Sequence, residues 1–260
     1  MDSTPIIQEA VRILREGGVI LYPTDTVWGI GCDATNEKAV ARVFEIKRRS
    51  EAKSLVLLAC DLDMVAKYIR QIPSIAIDLV EVNDAPMTLI YPGAQYLAPN
   101  AVAADGSVGI RIPVVPESAD TPAPSAGSRT TGSRASFADS RSSFAGSRSS
   151  SADSRSSFAD SRSSFAGLTG ESPAPKQAPQ GNLTAGAFCR ELVRRLRRPL
   201  VSTSANISGE PTPQDFNEIS EEIKSAVDYV VPKSFGAGAT GRSSQIIKLG
   251  LGGEVKILRP

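Results

Sequence analysis

The sequence predicts a mixed α/β (α+β) fold, a twisted mixed sheet flanked by helices and interrupted by a long disordered insertion. Three observations carry that expectation. Short β-prone apolar runs alternate with stretches of helical periodicity along most of the 260 residues. Two of those runs, residues 19–22 and 200–203, open into clusters of hydroxyl, carboxylate and amide side chains, a common way to build a site at a strand end. Residues 117–182 are instead composed of Ser, Ala, Arg, Gly and Pro, which bury too little surface to offset their ordering entropy. One domain over residues 1–260 is expected, broken by that segment, with roughly 200 residues left to form a core.

In chain order, Thr4 and Pro5 suit the cap and first position of a helix whose stripe is Ile6, Ala10, Ile13 and Leu14. Gly17 and Gly18 end it and lead into the strand at 19–22. Pro23, Thr24, Asp25, Thr26, Trp28, Gly29 and Gly31 follow. They read as a loop that delivers short polar groups to a ligand, and they suit a self-capped turn equally well. Gly29–Ala34 satisfies the G-x-G-x-x-A pattern, but six residues of turn chemistry separate it from the strand. A second match at 236–241 leads into another strand, so neither is a dinucleotide fingerprint.

A helix from about Asn36 buries Ala39, Val40, Val43 and Phe44 and runs out into Lys47, Arg48, Arg49 and Lys53. Cations suit a helix C-terminus by themselves; beside the Thr24–Thr26 turn they also suit polyanionic oxygens. A strand is expected at 54–59, helices at 62–69 and 73–81, and strands at 87–91 and 106–113. The last contains Arg111, a charge that is costly in an apolar strand unless it binds a ligand or closes an internal salt bridge. Beyond the insertion, Thr184 caps a helix through Arg198. A strand at 200–203 then opens into Ser204, Asn206, Ser208 and Gly209. A helix at about 215–226 and three strands ending at 255–258 complete the pattern. Two polar clusters and a basic connection together point to a phosphate-bearing small ligand.

Composition excludes several chemistries. There is no histidine, and Cys32, Cys60 and Cys189 are widely spaced, so zinc sites, disulfide frameworks and His-dependent triads are not expected. The insertion carries seven Lys/Arg and six Asp/Glu of the chain's 29 and 28, so the remainder is balanced and a broad nucleic-acid surface is not expected. Arg134, Arg141, Arg148, Arg155 and Arg162 recur every seven residues within variants of S-R-S-S-F-A-D/G. Such a repeat suits weak RNA binding or phosphorylation; a tandem expansion in a surface loop is the simpler reading. With no signal peptide and no long apolar run, a cytoplasmic location without membrane association is the default expectation.

YPTDTVWGIG, the K-R-R-x-x-x-K run, GSVGIRIP and STSANISG, in this order, resemble the YrdC/Sua5/TsaC family of L-threonylcarbamoyladenylate synthases, in its short single-domain form. The resemblance covers everything but residues 117–182. It implies a YrdC-like sheet and a nucleotidyltransferase. L-Threonine, bicarbonate or CO2 and ATP would give threonylcarbamoyl-AMP and pyrophosphate, for N6-threonylcarbamoyladenosine at tRNA position 37. It also implies roles: Thr26, Arg111, Ser202 and Ser244 for L-threonine; Arg49 and Lys53, with Lys47 beside them, for the ATP phosphates in catalysis. Ser107, Ser204, Asn206, Thr212 and Arg259 would line the nucleotide site, with Mg2+ carried mainly by the phosphates and no protein metal site. Implied partners are these substrates, tRNA or double-stranded RNA, and downstream threonylcarbamoyl-transferase proteins.

The chain departs from the family pattern at Trp28, where Tyr is usual, at Ser50 and Ser54, where prolines are common, and at Leu58, where some relatives carry a threonine-contacting histidine. The competing readings are a YciO-like paralogue that binds double-stranded RNA or tRNA without synthase activity, and carbamoyl-adenylate chemistry of the hydrogenase-maturation type. The second normally comes with zinc-finger cysteines, absent here. An interaction scaffold built on the repeat could coexist with catalysis.

Overall fold

Helix α1 (Ser3–Arg15) buries Ile7, Ala10, Val11, Ile13 and Leu14 at helical spacing and leaves its charged residues outward. The computed structural model describes residues 3–50, 55–115 and 183–260; Lys53, Ser54 and the expected insertion at 117–182 lie outside them. Thr4 stands inside the first turn of α1 rather than capping it, because the helix already begins at Ser3.

Strand β1 (Ile20–Pro23) turns back into β2 (Trp28–Gly31), with Pro23 opposite Trp28 and Ile20 opposite Gly31. The sequence had suggested a loop over these last residues. They form a strand because glycine lets the neighbouring backbone come close: a Cβ at Gly31 would lie 1.9 Å from the Val201 carbonyl oxygen. Helix α2 (Glu37–Ile46) follows, capped by Asn36, whose side chain accepts from the Ala39 N–H at 3.2 Å. Then come β3 (Val56–Leu58), α3 (Leu62–Tyr68), α4 (Ser74–Glu81), β4 (Met87–Tyr91) and β5 (Val108–Arg111).

Helix α5 (Ala185–Leu196) is capped by Thr184 and buries Phe188, Leu192, Val193 and Leu196. After β6 (Leu200–Ser204), the helix expected at 215–226 is broken in two, a 3-10 turn at Phe216–Glu218 and α6 (Glu221–Ala226). Two caps close in sequence explain the break. The Asp215 carboxylate accepts from the Asn217 N–H, and the Ser220 hydroxyl accepts from the Ile223 N–H. Strands β7 (Tyr229–Val230), β8 (Gln245–Leu249) and β9 (Val255–Arg259) complete the described residues.

Among the described residues nine strands form one mixed sheet, in the order β7-β1-β2-β6-β3-β5-β4-β8-β9. The pairs β1–β7, β3–β5 and β4–β8 are parallel and the others antiparallel. Strand β6 joins the two halves of the sheet, with Ser204 opposite Gly29 of β2 and Ser202 opposite Val56 of β3. Leu14, Val19, Leu21, Ile30, Leu57, Leu192 and Val201 are fully buried in one continuous core; each side chain withdrawn from water contributes about 1.5–3 kcal/mol. Cys32, Cys60 and Cys189 are buried free thiols, and desolvation pushes each above its ordinary range. The exit of β5 touches the start of α5, where a Cβ on Gly186 would lie 2.0 Å from the Val114 carbonyl oxygen.

Candidate functional site

The turn between β1 and β2 is held by one hydroxyl. Thr24 Oγ1 accepts from the N–H groups of Thr26 (3.1 Å) and Val27 (3.3 Å) and lies 2.8 Å from both the Val27 carbonyl and Thr26 Oγ1. The loop before β8 lies along the turn, the Thr240 and Gly241 N–H groups donating to the carbonyls of Asp25 (2.9 Å) and Thr26 (2.8 Å). Thr24, Asp25 and Thr26 are therefore buried although they form a turn.

Arg111 ends β5 opposite Thr88 of β4 and Leu58 of β3, and only 6% of it is exposed. Its Nη2 lies 3.3 Å from Asp25 Oδ1 and 3.5 Å from Thr24 Oγ1. The strand charge is thus half of an internal salt bridge, one of the two readings the sequence left open. Beside it, Thr88 Oγ1 and Ser244 Oγ are 2.8 Å apart, and Arg259 Nε donates to the Ser244 carbonyl at 2.8 Å. Burial, and secondly the positive charge of Arg111, hold Arg259 below its usual basicity. Arg259 thus lies close enough to Arg111 to feel its charge, a concentration of positive charge that suits an anionic group.

On the other flank, Lys47 follows α2 and is buried. Its Nζ lies 2.5 Å from the Ser204 carbonyl, 2.6 Å from the Asn206 carbonyl and 3.4 Å from Asn206 Oδ1. The Asn206 amide donates to the carbonyls of Ile207 (3.0 Å) and Glu210 (2.7 Å), and its oxygen accepts from the Ser204 hydroxyl. Burial, with the charge of Arg49 second, lowers the Lys47 pKa to about 8. Arg48, at φ 48°, turns outward to Glu222, whereas Arg49 is half-buried and desolvation lowers its pKa. Thr212 lines an open cavity of about 470 Å³ with Ala205, Asn206, Glu210 and Pro211.

The structure therefore groups Thr26, Arg111, Ser244 and Arg259 on one side, and Lys47, Ser204, Asn206 and Thr212 on the other. Gly29 lies between the two groups: it pairs with Ser204, and a Cβ there would be 3.5 Å from Ser202 Oγ and 3.6 Å from Thr24 Cγ2. Ser107 stands apart, its hydroxyl and N–H both bonded to Asp105, about 13 Å along β5 from Arg111. Sequence reasoning gave Asp25 only a place in the polar loop at 23–31 and gave Thr88 no role. A lone Thr in the run Met-Thr-Leu-Ile-Tyr, facing the side that an adjacent strand gives to Arg, is the signal that could have marked Thr88.

A family model described as Telomere recombination, covering Sua5, YciO and YrdC, matches residues 12–119 and 182–260. The chain belongs to this family. Within the Sua5/YciO/YrdC family it is similar to the threonylcarbamoyl-AMP synthase of Hahella chejuensis, 34% identical over 115 residues, or 44% of this chain and 62% of that protein. The corresponding protein of Pseudomonas aeruginosa PAO1 is 35% identical over 113 residues, 43% of this chain and 61% of its own length. Both matches span less than two thirds of those relatives. In fold, the chain resembles P. abyssi Sua5 complexed with L-threonine (TM-score 0.64, 20% identity, 100% of this chain and 55% of that one). It also resembles E. coli YciO (TM-score 0.61, 19% identity, 99% and 89%). No helix among the described residues is long and apolar enough to cross a membrane.

Proposed function

We propose that the protein is an L-threonylcarbamoyladenylate synthase. The observation that carries this reading is the pairing of two different polar centres across Gly29. One is a buried Arg111 set among the hydroxyls of Thr24, Thr26, Thr88 and Ser244; the other is a loop keyed to the buried Lys47. The first suits the carboxylate and hydroxyl of threonine, the second the nucleotide. The names of the relatives, and the L-threonine in the P. abyssi complex, favour the same substrates.

The chemistry asks for positioning and charge rather than for a protein nucleophile. The threonine amine adds to the carbon of CO2 and releases a proton to solvent. The carbamate oxygen then attacks the α-phosphorus of ATP, and the bond to pyrophosphate breaks. Arg111 would hold the threonine carboxylate, with Thr26, Ser202 and Ser244 around it. Arg49 and Lys53 would neutralise the phosphates, and Ser204, Asn206 and Thr212 would border the nucleotide; Arg259, bonded to Ser244, falls on the threonine side, and Ser107 stands apart from both groups. Mg2+ would be held mainly through the phosphates. In this reading the product passes to threonylcarbamoyl-transferase proteins acting on tRNA.

A second reading, a YciO-like binder of double-stranded RNA or tRNA, is favoured by one feature: the fully buried Leu58 stands opposite Arg111 and offers no polar group. Purified protein with ATP, Mg2+ and bicarbonate decides between them. Pyrophosphate release that depends on L-threonine, with serine much weaker, supports the synthase. RNA binding without such release supports the paralogue.

A further inference from the structure

Asp25 and Arg111 are both almost wholly buried, and each keeps hydrogen-bonding capacity that the protein does not use. Among the described residues Arg111 Nε has no hydrogen-bond partner, and Asp25 Oδ1 faces Arg111 Nη2 at 3.3 Å without hydrogen-bond geometry. The other carboxylate oxygen is committed, since Asp25 Oδ2 accepts from the Val114 N–H at 3.2 Å. The Asp25 carbonyl is tied to the Thr240 N–H and its Cβ lies against Gly186 of α5. Asp25 is thus fixed from three directions: the exit of β5, the start of α5 and the loop before β8. Among the described residues, the Arg111 side chain makes one ion pair and one hydrogen bond, both at Nη2, to Asp25 and Thr24.

We infer that Asp25 is a positioning residue: it anchors Nη2 of Arg111 so that the buried Nε–H is left directed at the carboxylate of the amino-acid substrate. This rests on the threonine site proposed above. A guanidinium with one edge pinned and one donor unspent is prepared for a planar anion. A free arginine side chain would instead lose rotamer freedom each time it bound. A salt bridge serving only stability would be expected to use all its donors, because a buried unpaired N–H is costly.

The test is Asp25→Asn, which keeps an oxygen for the Val114 N–H and removes the charge facing Arg111. Threonine affinity, measured calorimetrically, should fall about tenfold to hundredfold. The KM for ATP should stay within about twofold, and Arg111→Lys should weaken threonine clearly less in the Asp25→Asn background than in the wild type. Equal losses for threonine and ATP, or fully additive effects, would overturn the inference. A readout that needs neither a variant of Asp25 nor a ligand is the 15N spectrum of the arginine side chains, with Arg111 assigned by its loss in Arg111→Lys. Separate, slowly exchanging Nη signals in the free wild-type protein are expected; one averaged signal would refute the anchoring. Failure of the wild type to bind threonine would instead count against the proposed function, leaving the spectrum to decide the role of Asp25.

Discussion

Lys47→Met tests how a buried cation can shape a loop that is remote in sequence. The substitution keeps the length and apolar stem of the side chain and removes the ammonium from the Ser204 and Asn206 carbonyls, 2.5 and 2.6 Å away. The Asn206 carbonyl is left without that partner, at about 1–3 kcal/mol, whereas the Ser204 carbonyl keeps the Asn206 N–H at 2.9 Å. Against that, burial has already lowered the lysine from 10.5 to about 8, so discarding the charge recovers about 3 kcal/mol. The two contributions nearly cancel, leaving a net change within about 1 kcal/mol and a melting temperature moved by no more than about 2–4 °C. The local effect is larger than the global one. The Ser208 N–H still donates to the Lys47 carbonyl, yet the stretch between Ser204 and Asn206 loses its anchor. Hydrogen exchange at residues 204–207 should accelerate at least about tenfold, and threonine-dependent pyrophosphate release should fall by at least as much. Unchanged exchange there, or a melting temperature lower by more than about 10 °C, would refute the reasoning. The first would mean the loop holds itself, the second that Lys47 supports the core.

Three further outcomes are expected. Because the folded-state pKa of Lys47 lies below that of the unfolded chain, its contribution is fully present above about pH 10.5 and lost as pH falls through about 8. The stability of the wild type relative to Lys47→Met, measured by urea unfolding, should therefore rise between pH 7.5 and 10, and a flat difference would contradict the assignment. Gly31→Ala should destabilise by about 3 kcal/mol, since its Cβ would meet the Val201 carbonyl at 1.9 Å, while Gly29→Ala, with its nearest atom at 3.1 Å, should cost less; equal thermal shifts would be the contrary result. Deleting residues 119–180 should leave the melting temperature and activity nearly unchanged, because Val114 and Gly186 already touch and a shorter loop closes at little entropic cost. A large loss of either would show that the segment supports the domain.

The parts of the fold that were legible in the sequence are those where local chemistry and tertiary packing agree. Thr184 caps the helix it was expected to cap, Asn36 caps the helix expected to begin near it, and the apolar stripes behind them are buried. Strand β2 was hidden because its glycines carry no β propensity; they are there for the approach of the Val201 backbone, a long-range fact. The split of the helix at 215–226 lay in two consecutive caps, Asp215 and Ser220, which a periodicity argument averages over. In the candidate site, Arg111 stood out because charge is rare in a buried strand. The inward turn of Lys47 did not, since one cationic run gives no sign of which side chain faces the protein. Arg48 and Lys47 are adjacent and point to opposite environments. Asp25 was visible as a motif residue, but its partner lies on another strand.

The place of β6 has a consequence for the order in which the domain can be made. Its neighbours β2 and β3 precede residue 60, whereas β6 begins at Leu200, beyond the whole 116–182 segment. At ordinary translation speeds, synthesis of the chain from residue 116 to residue 200 takes roughly 4–17 seconds. Throughout that interval Trp28–Gly31 and Val56–Leu58 present edges without their eventual partner. Open edges of this kind recruit foreign strands. Every residue added to the segment lengthens the wait, so its length bears on the yield of native protein during synthesis even where it is neutral to the finished fold.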